Sequence, residues 1–212
     1  MTRTTRFVVV VFFITLASSL GHAQRVSEPR ISPVKPTELT DTQARAIGRF
    51  ARGEETLNIF RTCVRNLELC RAWTPFAQYV VSADNGIPPR EKELLILRTA
   101  WLCRADYDWS HHVGGAKRAG LSDEAIDRIT KGPDAPGWSN FDAALLRAAD
   151  ELHRDQHVSD PTWATLRGRY SEAQLMDLLF TVGQYTMVSM FLNSAGVQLE
   201  PGLVGLPKGG SK

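Results

Sequence analysis

From Thr40 to Leu199 the apolar residues recur at three- and four-residue intervals, and no alternating polar and apolar run exceeds four residues. A 3.6-residue period lays such a pattern on one face of a helix, whereas a half-buried strand needs a period of two. The chain is therefore expected to be all-α. Helix starts are marked by residues that satisfy the free N–H groups of a first turn. Asp41 precedes a helix expected to run to about Arg52, Ser122 stands before Asp123 and Glu124, and Ser171 with Gln174 forms a capping box. Pro161, after Ser159 and Asp160, sits where a first helical residue would, and Gly120 closes the helix before it. The last helix, Glu172 to about Asn193, is apolar on nearly all sides. Such a helix must be buried, and in a domain of this size a second copy of the chain is expected to cover part of it.

The two ends read differently. Arg3 and Arg6, the apolar run from Phe7 to Leu20 and the small residues Gly21-His22-Ala23 have the three-part layout of a secretory signal peptide, with cleavage expected after Ala23. The run is shorter than the roughly 20 residues of a spanning helix, and an uncleaved membrane anchor is the plain alternative. The remainder is then exported, periplasmic or secreted, with no membrane attachment after cleavage. Residues 24–39, with Pro29, Pro33 and Pro36, are expected to form an extended leader packed loosely on a single domain at 40–200. Residues 201–212, rich in Gly and Pro, are expected to be a flexible tail. The chain has 25 basic and 23 acidic residues, and losing Arg3 and Arg6 balances them. With no basic patch, nothing points to nucleic acid.

Cys63 and Cys70 lie seven positions apart in what reads as one helix. That spacing separates them by about 10.5 Å along the axis, beyond the reach of a disulfide. They are expected to be small buried hydrophobes, with a pairing of either to Cys103 left open.

The chemistry-bearing residues cluster in the stretch Ile87 to Ile129, read as two consecutive helices, Arg90 to about Cys103 and Tyr107 to Ala119. At about 100° per residue, Glu93 projects between Ile96, Ala100 and Leu97, so a carboxylate points into an apolar sector. Arg98 and Glu91 fall on another sector, expected to reach the surface or a subunit boundary. On the second helix His112 falls with Gly115, Ala116 and Ala119, and Asp108 lies one turn earlier, where it can orient the imidazole. His111 falls instead with Tyr107 and Arg118. A satisfied structural polar pair is the plain alternative for Glu93, Asp108 and His112. A metal site is not expected, because adjacent histidines diverge on a helix, unlike the i, i+4 pair of zinc sites. No phosphate loop or nucleophile elbow is present, so no cofactor is expected.

The segments PPREKELLILRTAWLCRADYDWSHHV and AGLSDEAIDRI, supported by LNIFRTCVRN and the last apolar helix, resemble the carboxymuconolactone decarboxylase-like superfamily, which includes the alkylhydroperoxidase D peroxidases. The peroxidase branch carries a CxxC pair upstream of the histidine. In this register the two cysteine positions are Ala105 and Asp108, the glutamate is Glu93 and the histidine His112. The proton-handling pair is kept and the thiols are replaced. Cys103 stands outside the register and has no partner three residues away, so it cannot form the exchangeable disulfide.

The resemblance implies an all-α homo-oligomer, commonly a trimer or hexamer, and a cofactor-free acid–base reaction such as decarboxylation of a small carboxylated lactone. In that reading His112 is the proton donor, Glu93 its relay partner and Asp108 its support, while Arg98, Tyr107 and Trp109 bind substrate. The alternatives are a thiol peroxidase using Cys103 and a non-catalytic small-molecule binding protein.

Overall fold

The structure is a computed structural model that describes residues 26–207. The expected signal peptide lies outside the described residues. Within them the chain forms nine α-helices: α1 (Asp41–Ile47), α2 (Asn58–Cys63), α3 (Leu67–Val81), α4 (Pro89–Leu102), α5 (Asp106–Arg118), α6 (Asp123–Lys131), α7 (Asn140–Asp155), α8 (Asp160–Arg167) and α9 (Glu172–Ala195). The all-α expectation holds. Thr40 and Gln43 form a capping box on α1, which turns into a 3₁₀ segment at Gly48–Phe50 before Arg52 is reached. Ser122, Ser139 and Ser171 each accept a backbone N–H from the first turn of the helix that follows.

Helix α4 is the axis of the fold, packed by α5, α7 and α9. Leu94, Leu95, Leu97 and Ala100 are fully enclosed. Glu91 and Arg98 of α4 are enclosed too, which corrects the expectation that they face the surface or a subunit boundary. Arg98 forms a two-pronged pair with Asp150 at 2.5 and 2.9 Å and donates to the Ile129 carbonyl. Glu91 accepts the hydroxyl of Tyr170 at 2.5 Å and a guanidinium N–H of Arg169. The helical projection gave their direction correctly as away from Glu93, but α6, α7 and the turn after α8 cover that side. Gly132, at φ +89°, is part of this cover: a side chain there would come within 3.0 Å of the Arg98 guanidinium.

The cysteine expectation is also overturned. Cys63 and Cys70 form a disulfide with their Cα atoms 5.5 Å apart. The helix assumed to hold both is broken: α2 ends at Cys63, and Asn66 caps a new helix by accepting the Leu69 N–H. The turn between them removes the axial separation that a continuous helix would impose.

On α9, Leu178, Val182, Val188 and Leu192 face the core, while Met176, Phe180, Met187 and Met190 are exposed. The helix has the length and hydropathy of a membrane span, yet over half of that window is buried within the fold. Beyond Gly196 the chain turns back across α5. In the tail, residues 201–204 are exposed, while Leu206 is buried and donates its N–H to Asp106 at 2.9 Å. In the leader, Arg30 and Ile31 donate to the Ala195 carbonyl, and the Val34 carbonyl accepts from Arg61.

Candidate active site

Helices α4 and α5 form an antiparallel hairpin around the tight turn at Cys103–Ala105, where Arg104 takes a left-handed conformation at φ +52°. Glu93 and His112 lie at similar remove from that turn and so meet across the hairpin. His112 Nδ1 is 2.9 Å from Glu93 Oε2. Gly115, one turn of helix further along, makes room for the carboxylate. The other imidazole nitrogen, Nε2, lies 2.9 Å from the hydroxyl of Tyr185 on α9. Carboxylate, imidazole and phenol thus form one continuous hydrogen-bonded chain. Burial, reinforced by the negative charges of Asp108 and Glu93, holds the Tyr185 hydroxyl well above the usual phenol range, so it stays protonated.

Tyr185 and His112 open onto a cavity of about 370 Å³. Its apolar wall is built by α2, α3 and the segment before them, through Phe50, Phe60 and Trp73, with Phe50 stacked on Phe60 at 4.2 Å. Arg49, Arg52 and Arg118 border the same space, and their guanidinium groups have no hydrogen bond or ion pair among the described residues. Gln184 adds a buried amide whose oxygen has no hydrogen-bond partner among the described residues. A cavity with aromatic walls, unpaired cations and a proton relay suits a small, flat anion.

Asp108 is placed differently from its expected role. It is buried beside the cavity and accepts the Ser189 hydroxyl at 3.1 Å, while the imidazole of His112 is held by Glu93 instead. Burial raises the Asp108 carboxyl to about 6, against the opposing pull of His112, the Ser189 hydroxyl and His111. Asp108 therefore acts on His112 through charge and not through a hydrogen bond.

His111, expected on a different face, borders the cavity as well. Its Nε2 lies 2.6 Å from Glu200 Oε2, and its ring packs on Tyr107 with centroids 4.4 Å apart. Tyr107 also lines the cavity and donates to Glu200 at 2.7 Å. The two histidines turn to different carboxylates. Of the other expected binding residues, Trp109 is in the main core against Trp101, and Arg98 is committed to Asp150. Neither lines the cavity. Cys103 does not border it either; its Sγ lies 3.7 Å from His153 Nδ1.

Residues 68–151, spanning Glu93 and His112, match the model of the carboxymuconolactone decarboxylase family. Over these residues the chain is similar to that family. Solved structures are similar to the chain in fold over most of its length. An uncharacterized peroxidase-related protein with an alkylhydroperoxidase AhpD core, from Ralstonia eutropha, has a TM-score of 0.70 at 15% identity, covering 82% of this chain and 93% of its own. Another peroxidase-related protein, from Silicibacter sp., gives 0.66 at 12% identity over 87% and 96%. The debrominase Bmp8, solved with 2,3,4-tribromopyrrole, gives 0.64 at 15% identity over 81% and 91%. At such identities the likeness is one of fold. No curated protein matches the chain.

The sequence reading missed Tyr185, the three arginines and Glu200. Tyr185 reads in sequence as one more apolar position of α9, although its hydroxyl needs a partner when buried. Arg49 and Arg52 lie in the irregular segment between α1 and α2, where helical projection says nothing. Glu200 and Tyr185 also lie outside the stretch that matches the family model.

Proposed function

We propose that this cavity performs acid–base chemistry without a cofactor on a small carboxylated compound, most simply the decarboxylation of an unsaturated lactone acid. The observation that carries this reading is the Glu93–His112–Tyr185 chain ending in a cavity bordered by unpaired arginines. Arg49, Arg52 and Arg118 take the binding role that Arg98 was expected to fill, drawing in the anion and balancing the enolate charge.

In the reaction the bond from carbon to the leaving carboxylate breaks, carbon dioxide departs, and the electron pair spreads into the lactone carbonyl as a dienolate. Tyr185 then gives its proton to carbon and is reprotonated by the imidazolium of His112, which Glu93 stabilises. Among the described residues no thiol lines this cavity, which favours this reading over a peroxidase using Cys103. The reading includes export of the chain and its self-association through the exposed face of α9.

Carbon dioxide release from 4-carboxymuconolactone tests it. Wild-type protein should turn over, and His112→Gln should lose on the order of 10²–10⁴-fold. Cys103→Ser should keep its rate. Hydroperoxide reduction with a dithiol donor, lost in Cys103→Ser, would replace this reading with a thiol mechanism. Ligand binding without turnover would favour a binding protein.

A further inference from the structure

Two imidazoles border the cavity, and only one belongs to the relay described above. His111 and His112 are consecutive, so their side chains leave α5 about 100° apart. Both nevertheless line one cavity, and residues beyond α9 fold back along α5 on the side to which His111 points. That returning segment brings Glu200 against His111.

Glu200 is held more firmly than a simple anchor requires. Its Oε1 accepts the Asn58 backbone N–H and the Tyr107 hydroxyl, both at 2.7 Å, and its Oε2 faces His111 Nε2 at 2.6 Å. Burial alone would raise its carboxyl, but the His111, Asn58 and Tyr107 hydrogen bonds outweigh that and hold it down at about 2. The ionised carboxylate accepts a proton from His111 Nε2, which in the neutral imidazole leaves the lone pair on Nδ1. Nδ1 has no hydrogen bond among the described residues. Packing on Tyr107 fixes the ring. The segment is tied to α5 elsewhere, through Asp106 to Leu206 and Ser110 to Val204, so His111 is not needed merely to hold it down. His112 differs, since both of its nitrogens are engaged.

We propose that His111, positioned by Glu200, is a second proton-handling centre in this cavity, and that the site also interconverts β,γ- and α,β-unsaturated lactone acids by a 1,3-proton shift. This rests on the acid–base reading of the cavity. His111 Nδ1 takes a proton from the carbon α to the lactone carbonyl, and the C–H electron pair moves into the dienolate. Tyr185, backed by the His112 imidazolium, gives a proton to the γ carbon. The product is an isomer of the substrate. Exchange of one proton with water returns His111 and His112 to their starting states, so no oxidant or reductant is consumed. Glu200 touches no reacting atom and is a positioning residue.

The test uses full-length protein with 2-oxo-2,3-dihydrofuran-5-acetate in D₂O, followed by proton NMR. Wild-type protein should exchange the C3 protons and form the 2,5-dihydro isomer. His111→Gln should slow C3 exchange by about 10²-fold or more. Glu200→Gln should slow it less, and the acid limb of its pH–rate profile should move to lower pH, because the imidazolium loses its anion. A merely structural Glu200 would leave that profile in place. Thermal unfolding of each variant establishes that it is folded, and Glu200→Asp should restore part of the rate if a variant with Gln is unstable. Exchange at the wild-type rate in folded His111→Gln overturns the proposal and leaves the decarboxylase reading intact. Absence of C3 exchange by wild-type protein that still releases carbon dioxide from 4-carboxymuconolactone does the same. Absence of both reactions overturns both readings.

Discussion

The carboxylate of Glu93 occupies the space that a side chain on Gly115 would fill: a Cβ built there lies 2.6 Å from Glu93 Oε1. The pairing of Glu93 with His112 therefore depends on a residue that makes no hydrogen bond to either side chain. Gly115→Ala should push the carboxylate off His112 Nδ1 and lower turnover by about 10-fold or more, while helix propensity partly offsets the steric cost. Kinetics together with thermal unfolding check this. Unchanged turnover in the alanine variant would show that the Glu93 contact is not needed.

Asp108 makes a prediction about pH. Its folded carboxyl lies at about 6, above the ordinary 3.8, because burial disfavours the anion. The folded state thus binds more protons than the unfolded state between these values, and stability attributable to Asp108 falls as pH rises through that window. The span corresponds to a penalty of about 3 kcal/mol at neutral pH. Asp108→Asn, which can still accept the Ser189 hydroxyl, should gain stability relative to wild type at pH 7.5 and lose that advantage near pH 4. Chemical unfolding at the two pH values measures the difference.

Cys63 and Cys70 close a short loop at the junction of two helices that wall the cavity. By the chain-entropy account a loop of this size contributes about 2.5 kcal/mol. Cys63→Ser with Cys70→Ser should lower the unfolding midpoint accordingly, and a reducing agent should affect wild type but not the double variant. Equal sensitivity of the two proteins to reductant would argue against the disulfide.

The exposed side of α9 predicts self-association. Met176, Phe180, Gly183, Met187 and Met190 follow one another at alternating four- and three-residue steps, the spacing of a helix-to-helix seam. A second copy of the chain is the occupant proposed for it. Met187→Glu should shift the protein to a monomer in light scattering at micromolar concentration; a wild type that is already monomeric there would remove the argument.

Much of the fold was legible because its determinants are local. Period, caps and the proline and glycine positions are read within a few residues, so α4, α5 and α9 came out within two or three residues of their ends. The Glu93 and His112 pair was legible too, since projection needs only one helix at a time. What was lost depends on chain beyond the element. Asn66 reads as an ordinary polar residue in a continuous helix until its side chain is seen capping α3, and with it went the disulfide. Asp108 has the right spacing to hold His112, but Glu93 arrives from the neighbouring helix and takes that place. His111 seemed to face away because nothing in α5 reveals that residues near 200 return along that side.

The enclosed ion pairs of α4 carry a consequence for sequence drift. Removing one member of a buried pair leaves an uncompensated charge and costs about 3–5 kcal/mol, whereas replacing both members by apolar residues can be neutral. Arg98 is bound in this way to Asp150 on α7, and Glu91 to Arg169 and Tyr170 after α8. Viable changes at either α4 position must then arrive together with a change some 50 to 80 residues later in the chain. Among divergent homologues these positions should covary, and a graft of α4 alone into a relative should fail unless its distant partners travel with it.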